Sequence, residues 1–197
     1  MSPLLVDFPM PIKTPRLFMR QLTIGDGYKL NEAVVETVDS LEQWVHWVRR
    51  DSLPSVIESE ETARRFHADF ILGSRVTCGL FVGDNLVGVV GFVAFDWNIP
   101  SAEIGYWCRS TTQGNGYITE AVNALTRYAF DVIGIKRLLI ICDSENSKSA
   151  AVAERLGYKL ELEALGIINK PGHPELRLGR QYVRFDTHGL PELSVTW

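Results

Sequence analysis

Hydrophobic and polar positions change their spacing several times along the chain, and each change predicts a new element. Alternating positions and β-rich composition predict strands at residues 16–21, 75–82, 86–95, 101–108, 137–142, 158–168 and 177–185. Helical spacing predicts helices at residues 26–38, 58–72, 116–133 and 147–156, with Asp26 and Ser59 as N-caps of the first two. This order indicates an α+β fold, with an antiparallel meander up to residue 108 and one β-α-β crossover after it.

Length and composition favour a single domain over residues 1–197, which begins with an extended arm at residues 1–15. With 197 residues, of which 46% are hydrophobic, the chain can bury one substantial core. Charged residues make up 22% of the sequence and the formal net charge is −4. Neither disorder nor a nucleic-acid partner is therefore expected.

The cysteines and the first residues bear on the compartment. Cys78, Cys108 and Cys142 are widely spaced and lack the paired Cys/His spacing of a zinc site, so we expect buried thiols, a reducing compartment and no metal. The first residues show no basic start followed by an apolar run, and no apolar stretch approaches the roughly 18 residues of a membrane span. A cytoplasmic protein without a membrane partner is the expectation.

A glycine-containing loop connects the predicted strand at residues 101–108 to the following helix. The loop reads Gln113-Gly114-Asn115-Gly116-Tyr117. Glycines allow a ligand to approach the backbone closely, and the first amides of a helix favour an anion. The third glycine of a dinucleotide fingerprint is replaced by Thr119, and no lysine follows Gly116 as in a P-loop. The loop predicts a pyrophosphate site of another type.

Three segments around this loop form a specific combination. They are residues 102–107 (AEIGYW), residues 113–121 (QGNGYITEA), and Asn146 with Ser149 followed by residues 156–158 (LGY). In this combination the chain resembles the GNAT N-acetyltransferase superfamily, and more closely its RimJ/RimL-type branch. Weaker resemblance covers most of the chain, including residues 14–17 and 41–47.

The resemblance implies a mixed, mostly antiparallel, V-shaped sheet flanked by helices, whose strands diverge around Glu103 and Leu139 to admit a pantetheine arm. It also implies acetyl-coenzyme A (acetyl-CoA) as co-substrate. Backbone groups of Tyr106, Trp107 and Cys108 would pair with pantetheine, and an amide there would polarise the thioester carbonyl. Pyrophosphate would be held by the loop and first helical turn, namely Gln113, Gly114, Asn115, Gly116, Tyr117, Ile118 and Thr119.

Asn146 and Ser149 lie three positions apart at the start of a predicted helix. From spacing alone, Asn146 or Ser147 would serve as a helix N-cap. The resemblance implies instead that Asn146 binds pantetheine and that Ser149 acts as proton donor, directly or through water, to the leaving thiolate. Many relatives place a tyrosine one turn later, where this chain has Ala153.

Glu103 is the candidate general base, because a neutral amine must lose a proton as it attacks the thioester. Its predicted strand places it on the face of Gly105 and Trp107, where partial burial would raise its pKa. The alternative is an exposed carboxylate or a partner of Arg109. Glu120, on the next helix, is interpreted as a partner of the helix dipole.

Large apolar groups are concentrated at residues 41–48, where Trp44, His46 and Trp47 are candidate substrate-pocket residues. The segment is either an aromatic part of the core or the wall of a pocket. An acyl-enzyme on Cys108 is disfavoured, because direct transfer from the thioester needs no such intermediate.

The sequence therefore predicts an N-acetyltransferase that uses acetyl-CoA and a primary amine, either a small molecule or a protein N-terminus. Two alternatives stay open: a non-catalytic acyl-CoA sensor or scaffold, and a nucleotide-binding enzyme of the dinucleotide type. A homodimer is expected by analogy only. The fold and the co-substrate do not determine the acceptor.

Overall fold

The structure, a computed structural model, describes residues 6–168 and 175–197, so residues 1–5 of the expected arm lie outside it. Its strands are β1 Ile12–Lys13, β2 Phe18–Gln21, β3 Val76–Val82, β4 Asn85–Asp96, β5 Ser101–Cys108, β6 Arg137–Asp143, β7 Lys159–Ile168 and β8 Arg177–Arg184. Its helices are α1 Gly27–Trp44, α2 Val56–Ile71, α3 Tyr117–Arg127 and α4 Ser147–Arg155. A 3-10 turn at Ser110–Thr112 precedes α3, and a π-helical turn at Tyr128–Ile133 continues it. None of the helices in these ranges is long and apolar enough to cross a membrane.

The described strands form one mixed sheet in the order β1-β2-β3-β4-β5-β6-β8-β7. The expected antiparallel meander is confirmed, since β3 pairs with β4 and β4 with β5 in antiparallel register. Only β5 and β6 pair in parallel among these strands, and α3 connects them. This mostly antiparallel sheet is unlike the repeated parallel units of a dinucleotide fold.

The sheet opens between its two central strands. β5 and β6 pair at three positions, and the last pair is Glu103 with Leu139. Beyond it β5 continues to Cys108 and β6 to Asp143, each still paired with its outer neighbour. The predicted V-shaped divergence at Glu103 and Leu139 is confirmed, and it leaves one edge of each strand without a strand partner.

Side-chain alternation along the strands separates two hydrophobic clusters, one on each face of the sheet. Val90 and Ile104 belong to the cluster that contains α3 and α4. Phe81 and Val89 belong to the cluster that contains α1 and α2, against which Trp107 packs. Neighbouring residues of one strand therefore meet different helices, and α3 is held against the sheet by its fully buried apolar stripe.

Of the two predicted N-caps, Ser59 is wrong and Asp26 is confirmed in position. α2 begins after Ser55, which forms a reciprocal capping box with Glu58, whereas Ser59 is buried inside the helix. The apolar stripe begins after the true start of this helix, which is why Ser59 was the wrong choice. Asp26 does stand at the N-cap of α1, but its side chain makes no cap bond and instead accepts hydrogen bonds from Arg20 and Thr23.

The last residues of the chain fold back onto α3 and the N-terminal arm. Lys13 and Thr196 exchange backbone hydrogen bonds of 2.8 and 3.0 Å. The Asn123 side chain donates to the Pro191 carbonyl at 2.9 Å, and the Trp197 ring meets the Tyr128 ring edge-on at 5.9 Å between centroids. Both ends of the chain therefore brace the helix that follows the glycine loop.

Gly91 tests the close packing of the meander. A Cβ at this position would lie 2.1 Å from the Val76 carbonyl oxygen, so a backbone must shift to admit it. We expect Gly91→Ala to lower the free energy of unfolding by about 1–3 kcal/mol or more. Urea unfolding measures this change. Ala94→Ser, which adds an atom at an exposed position of the same strand, should change it by no more than about 0.5 kcal/mol; equal effects would contradict the packing.

Candidate active site

A cleft of about 960 Å³ lies where the sheet opens. Its walls are the end of α1, the last residues of β5, the turn before α3, parts of α3 and α4, and residues 191–193 of the folded-back tail. The glycine loop lines one part of the cleft and the end of β5 lines another. The cleft therefore joins the predicted pyrophosphate site to the predicted pantetheine edge.

The glycine loop presents helical amides to the cleft. Gly114 and Gly116 adopt left-handed φ angles of 81° and 77°, which side chains disfavour, and Gly116 occupies the N-cap of α3. The amides of the next three residues, Tyr117 to Thr119, have no intrahelical acceptor. They stand at the positive end of the helix dipole, an arrangement that suits a phosphate group.

The loop is held in place by contacts that the sequence did not reveal. Arg16, which directly follows the N-terminal arm, donates to the Asn115 carbonyl at 2.8 Å and to the Glu120 carboxylate at 2.5 Å, and stacks over Tyr117. Lys148 of α4 donates to the Gln113 side chain at 2.9 Å. Glu120 is thus an anchor for the arm as well as a first-turn acid.

Three cations line the cleft: Arg16 and Lys148, which contact the glycine loop, and Arg155 at the end of α4. A concave site lined by several cations raises the local concentration of an anionic ligand. The site residues fit coenzyme A in two respects: the helical amides and cations would hold its phosphates, and the open strand edge would pair with its amide-containing arm. No motif could have indicated Arg16 or Arg155, which are separated from the loop along the chain.

The open edge of β5 consists of the residues beyond Glu103. On its other side the strand is fully paired with β4, with Tyr106 opposite Val90 and Cys108 opposite Gly88. Tyr106, Trp107 and Cys108 all line the cleft. A ligand with peptide-like amides can add to such an edge as an extra strand.

Asn146 and Ser149 lie together at the start of α4 and both line the cleft. The side-chain oxygen of Asn146, Oδ1, accepts from the Ser149 backbone N–H at 3.1 Å, so Asn146 is the helix N-cap. Its side-chain amide N–H groups make no hydrogen bond within the residues that the structure describes and are available to a ligand. Ala153, at the position where the resemblance implies a tyrosine, is fully buried. The hydroxyl next to Ser149 comes from Tyr106, whose Oη lies 3.0 Å from Ser149 Oγ.

Glu103 is half-buried on β5, at the last position where β5 and β6 pair. Burial raises the pKa of its carboxyl group, and the positive charge of Arg75 partly offsets this increase. The residue does not line the cleft itself. The alternative pairing with Arg109 is wrong, because Arg109 binds Glu36 of α1.

The aromatic segment at residues 41–48 is partly core and partly pocket wall. Leu41 and Val48 are buried, as expected for a core. Trp44, in the last turn of α1, lines the cleft. His46 and Trp47 are exposed and outside the cleft lining, although the Trp47 ring lies 6.4 Å from that of Trp107.

The cysteines differ in burial. Cys78 and Cys142 are buried, and burial raises the pKa of the Cys78 thiol to about 12. Cys108 lines the cleft but burial also raises its pKa, and its thiol contacts the Thr112 hydroxyl at 3.5 Å, with no basic group involved. This environment disfavours a thiolate nucleophile. Among the described residues no group of three or more metal-binding side chains comes together.

The divergent strands, the amide-lined loop and the three cations of the cleft are together typical of an acyltransferase that uses a coenzyme A thioester. Residues 16–159 match the acetyltransferase (GNAT) domain family. The chain therefore belongs to the GNAT family: it is an N-acetyltransferase with acetyl-CoA as its co-substrate, and this class is favoured over a non-catalytic sensor.

Individual relatives extend over most of the chain. It is 31% identical to "Putative ribosomal N-acetyltransferase YdaF" of Bacillus subtilis (strain 168) over 74% of this chain and 79% of the relative. It is 32% identical to the ribosomal-protein-serine acetyltransferase of Escherichia coli (strain K12) over 61% of this chain and 66% of the relative. Its fold matches a solved structure of RimL, a ribosomal L7/L12 alpha-N-protein acetyltransferase in complex with coenzyme A, with a TM-score of 0.79, 24% identity, and coverage of 88% and 96%.

Gly114 and Gly134 provide a matched pair for testing the loop. Both have a φ of 81°, and a Cβ would meet nothing within 4 Å at either position. Gly114→Ala and Gly134→Ala should therefore lose similar stability, about 1 kcal/mol each. Only Gly114→Ala should weaken coenzyme A binding, by roughly 10-fold, because strain displaces the amides beside the phosphates. Calorimetric titration with coenzyme A measures the affinities, and equal weakening by both variants would refute the assignment.

Proposed function

We propose that this N-acetyltransferase modifies the N-terminal amine of a protein, with Glu103 as general base and Ser149 as hydrogen-bond donor to the leaving sulfur. The observation that carries this proposal is the divergence of β5 and β6 immediately beyond Glu103. The strands are unpaired beyond this residue, and Ser149 lines the cleft on the α4 side. The proposal requires that a thioester bound there is within reach of Ser149 and, directly or through water, of Glu103.

The alternation of β5 assigns the two residues to opposite faces. Glu103 shares the α1 and α2 face with Trp107, whereas Tyr106 extends to the other face and contacts Ser149 of α4. The amine acceptor therefore approaches from the α1 and α2 face, where Trp44 lines the cleft. The phosphates of the co-substrate lie at the loop before α3.

In the proposed step, Glu103 accepts a proton from the acceptor amine, directly or through water, as the nitrogen attacks the thioester carbonyl carbon. A backbone amide of residues 106–108 polarises the carbonyl oxygen. The C–N bond forms, the C–S bond breaks, and its electron pair leaves on sulfur, toward which Ser149 directs its hydroxyl. The products are the acetylated amine and coenzyme A.

The acceptor class is supported by the names of two relatives, one a ribosomal N-acetyltransferase and the other a ribosomal-protein-serine acetyltransferase. The aromatic wall of the cleft and its open end suit a flexible chain terminus. A ribosomal protein is the proposed substrate, which also favours the cytoplasm as the location. A homodimer and the absence of nucleic-acid partners stay predictions.

Acceptor peptides test this function directly. Peptides with a free N-terminal serine or alanine should release coenzyme A thiol, whereas the same peptides with a blocked N-terminus and an internal lysine should not. Polyamines and aminoglycosides serve as the competing acceptors. Turnover that is confined to these small amines would contradict the proposed acceptor, and coenzyme A binding with no turnover on any acceptor would favour the sensor.

Substitution at the two site residues tests their roles on the acceptor so identified. We expect Glu103→Gln to lower kcat/KM by roughly 100-fold, as for loss of a general base, and Ser149→Ala to lower kcat by roughly 10-fold. Single-turnover thiol release measures both, and calorimetry should show unchanged coenzyme A affinity. Wild-type rates in Glu103→Gln would exclude it as the base.

The pH profile tests the base through its neighbour Arg75. Glu103 must be deprotonated to act, so kcat/KM should fall as the pH falls through its pKa, which burial has raised above the ordinary value. Arg75→Ala removes the charge that lowers this pKa, so the acidic limb of the profile should move to higher pH. Arg75→Lys keeps the charge and is the control. A limb that stays unchanged in Arg75→Ala would rule against Glu103, since titration of the acceptor amine is independent of Arg75.

A further inference from the structure

The Tyr106 side chain carries a hydroxyl group that the proposed step does not yet use. It lies 3.0 Å from the Ser149 hydroxyl oxygen and 3.1 Å from the Ser149 carbonyl oxygen. Both residues line the cleft, and both are only partly exposed. The strand that offers its backbone to the co-substrate thus also supplies a hydroxyl to α4.

We propose that Tyr106 is a positioning residue, which orients the Ser149 hydroxyl toward the sulfur of the leaving coenzyme A. This inference rests on the proposed function of Ser149. It assigns a role to the side chain of a residue for which the sequence indicated only backbone contacts.

The number of protons allows two arrangements of this contact. The phenol has one O–H proton and two acceptors within reach, the carbonyl oxygen and the hydroxyl oxygen of Ser149. When Tyr106 donates to Oγ, the serine proton cannot point back at the tyrosine and is directed elsewhere. A serine near a helix start otherwise bonds to a backbone carbonyl of the preceding turn. When Tyr106 donates to the Ser149 carbonyl instead, the serine hydroxyl can donate to the phenol. The proposed role is the first arrangement, in which the serine O–H is available to the sulfur.

Tyr106 supplies a hydrogen bond rather than a proton. Burial raises the pKa of its phenol, and the nearby Cys142 and Tyr182 add to the increase, which the bond to Ser149 only partly offsets. A neutral phenol is therefore strongly favoured over a phenolate in this position. Sulfur leaves as a thiolate, stabilised by the serine O–H, and takes its proton later from solvent.

The arrangement also bears on the alanine at position 153. The family resemblance of the sequence implies a tyrosine there, one turn after the serine position, whereas this chain has a fully buried Ala153. Here the phenol reaches the first turn of α4 from β5 instead. Its oxygen meets Ser149, so its effect on the sulfur is indirect.

A double-mutant cycle tests the proposal on an active acceptor. We expect Tyr106→Phe to lower kcat by roughly 10-fold, because the Ser149 hydroxyl loses the bond that orients it toward the sulfur, with the KM for acetyl-CoA changed by no more than about twofold. Because Tyr106 acts through Ser149, the Tyr106→Phe/Ser149→Ala double variant should be no slower than Ser149→Ala alone.

Tyr158→Phe is the matched control. Tyr158 is also a buried tyrosine with a hydroxyl partner, at 2.7 Å from Thr126 Oγ1, but it lies outside the cleft lining. Its variant should keep the wild-type kcat.

Two results would overturn the positioning role: a wild-type kcat in Tyr106→Phe, or the same fractional loss of kcat in the presence and absence of Ser149. The second result would indicate a packing role for the ring. Absence of turnover in the wild-type protein on every acceptor would instead overturn the proposed function, and this inference with it.

Discussion

The arrangement of the site depends on the short parallel pairing of β5 with β6. Three residue pairs join these strands, and each strand then follows its antiparallel neighbour away from the other. The backbone N–H and C=O groups at these strand edges no longer have a strand partner. A peptide-like ligand can form hydrogen bonds with them. The same divergence admits side chains from both faces of the sheet. Cofactor binding and access to the reacting bond thus have one structural cause.

The phosphate end of the cleft depends on the rigidity of α3. Its apolar stripe is buried against the sheet, and residues near both ends of the chain contact Asn123 of α3 and Tyr128 of the turn that continues it. The loop before it is fixed by Arg16, which joins the N-terminal arm to Glu120 and Asn115. Amides that are already oriented toward an anion need little reorganisation when it binds. Distant parts of the chain therefore contribute to one binding surface.

Much of the fold follows from local patterns. The alternation at residues 101–108 and the apolar stripe of α3 predict β5 and the helix closely. Each element buries one face, so its apolar residues recur with the period of a strand or of a helix. The glycine loop also predicts its own left-handed conformation. The exact start of α2 was not predicted, since a capping box at Ser55 lies before the apolar stripe begins.

The parts of the site that the sequence does not predict are those formed by long-range contacts. Arg16 lies about one hundred positions before the loop that it holds, and no spacing rule connects them. The contact of Tyr106 with Ser149 likewise depends on how β5 and α4 pack. The tail residues that line the cleft lack any periodic signal. Resemblance to the family located the pieces of the site, but only the fold shows which side chains meet.

Hydrogen exchange with and without coenzyme A tests the central claim most directly, since it reports on individual backbone amides. If the open edge of β5 and the start of α3 bind the co-substrate, coenzyme A should slow exchange at residues 104–108 and 114–119. Exchange in β3, on the far side of β4, should not change. Binding of coenzyme A that leaves both segments unprotected would contradict the account.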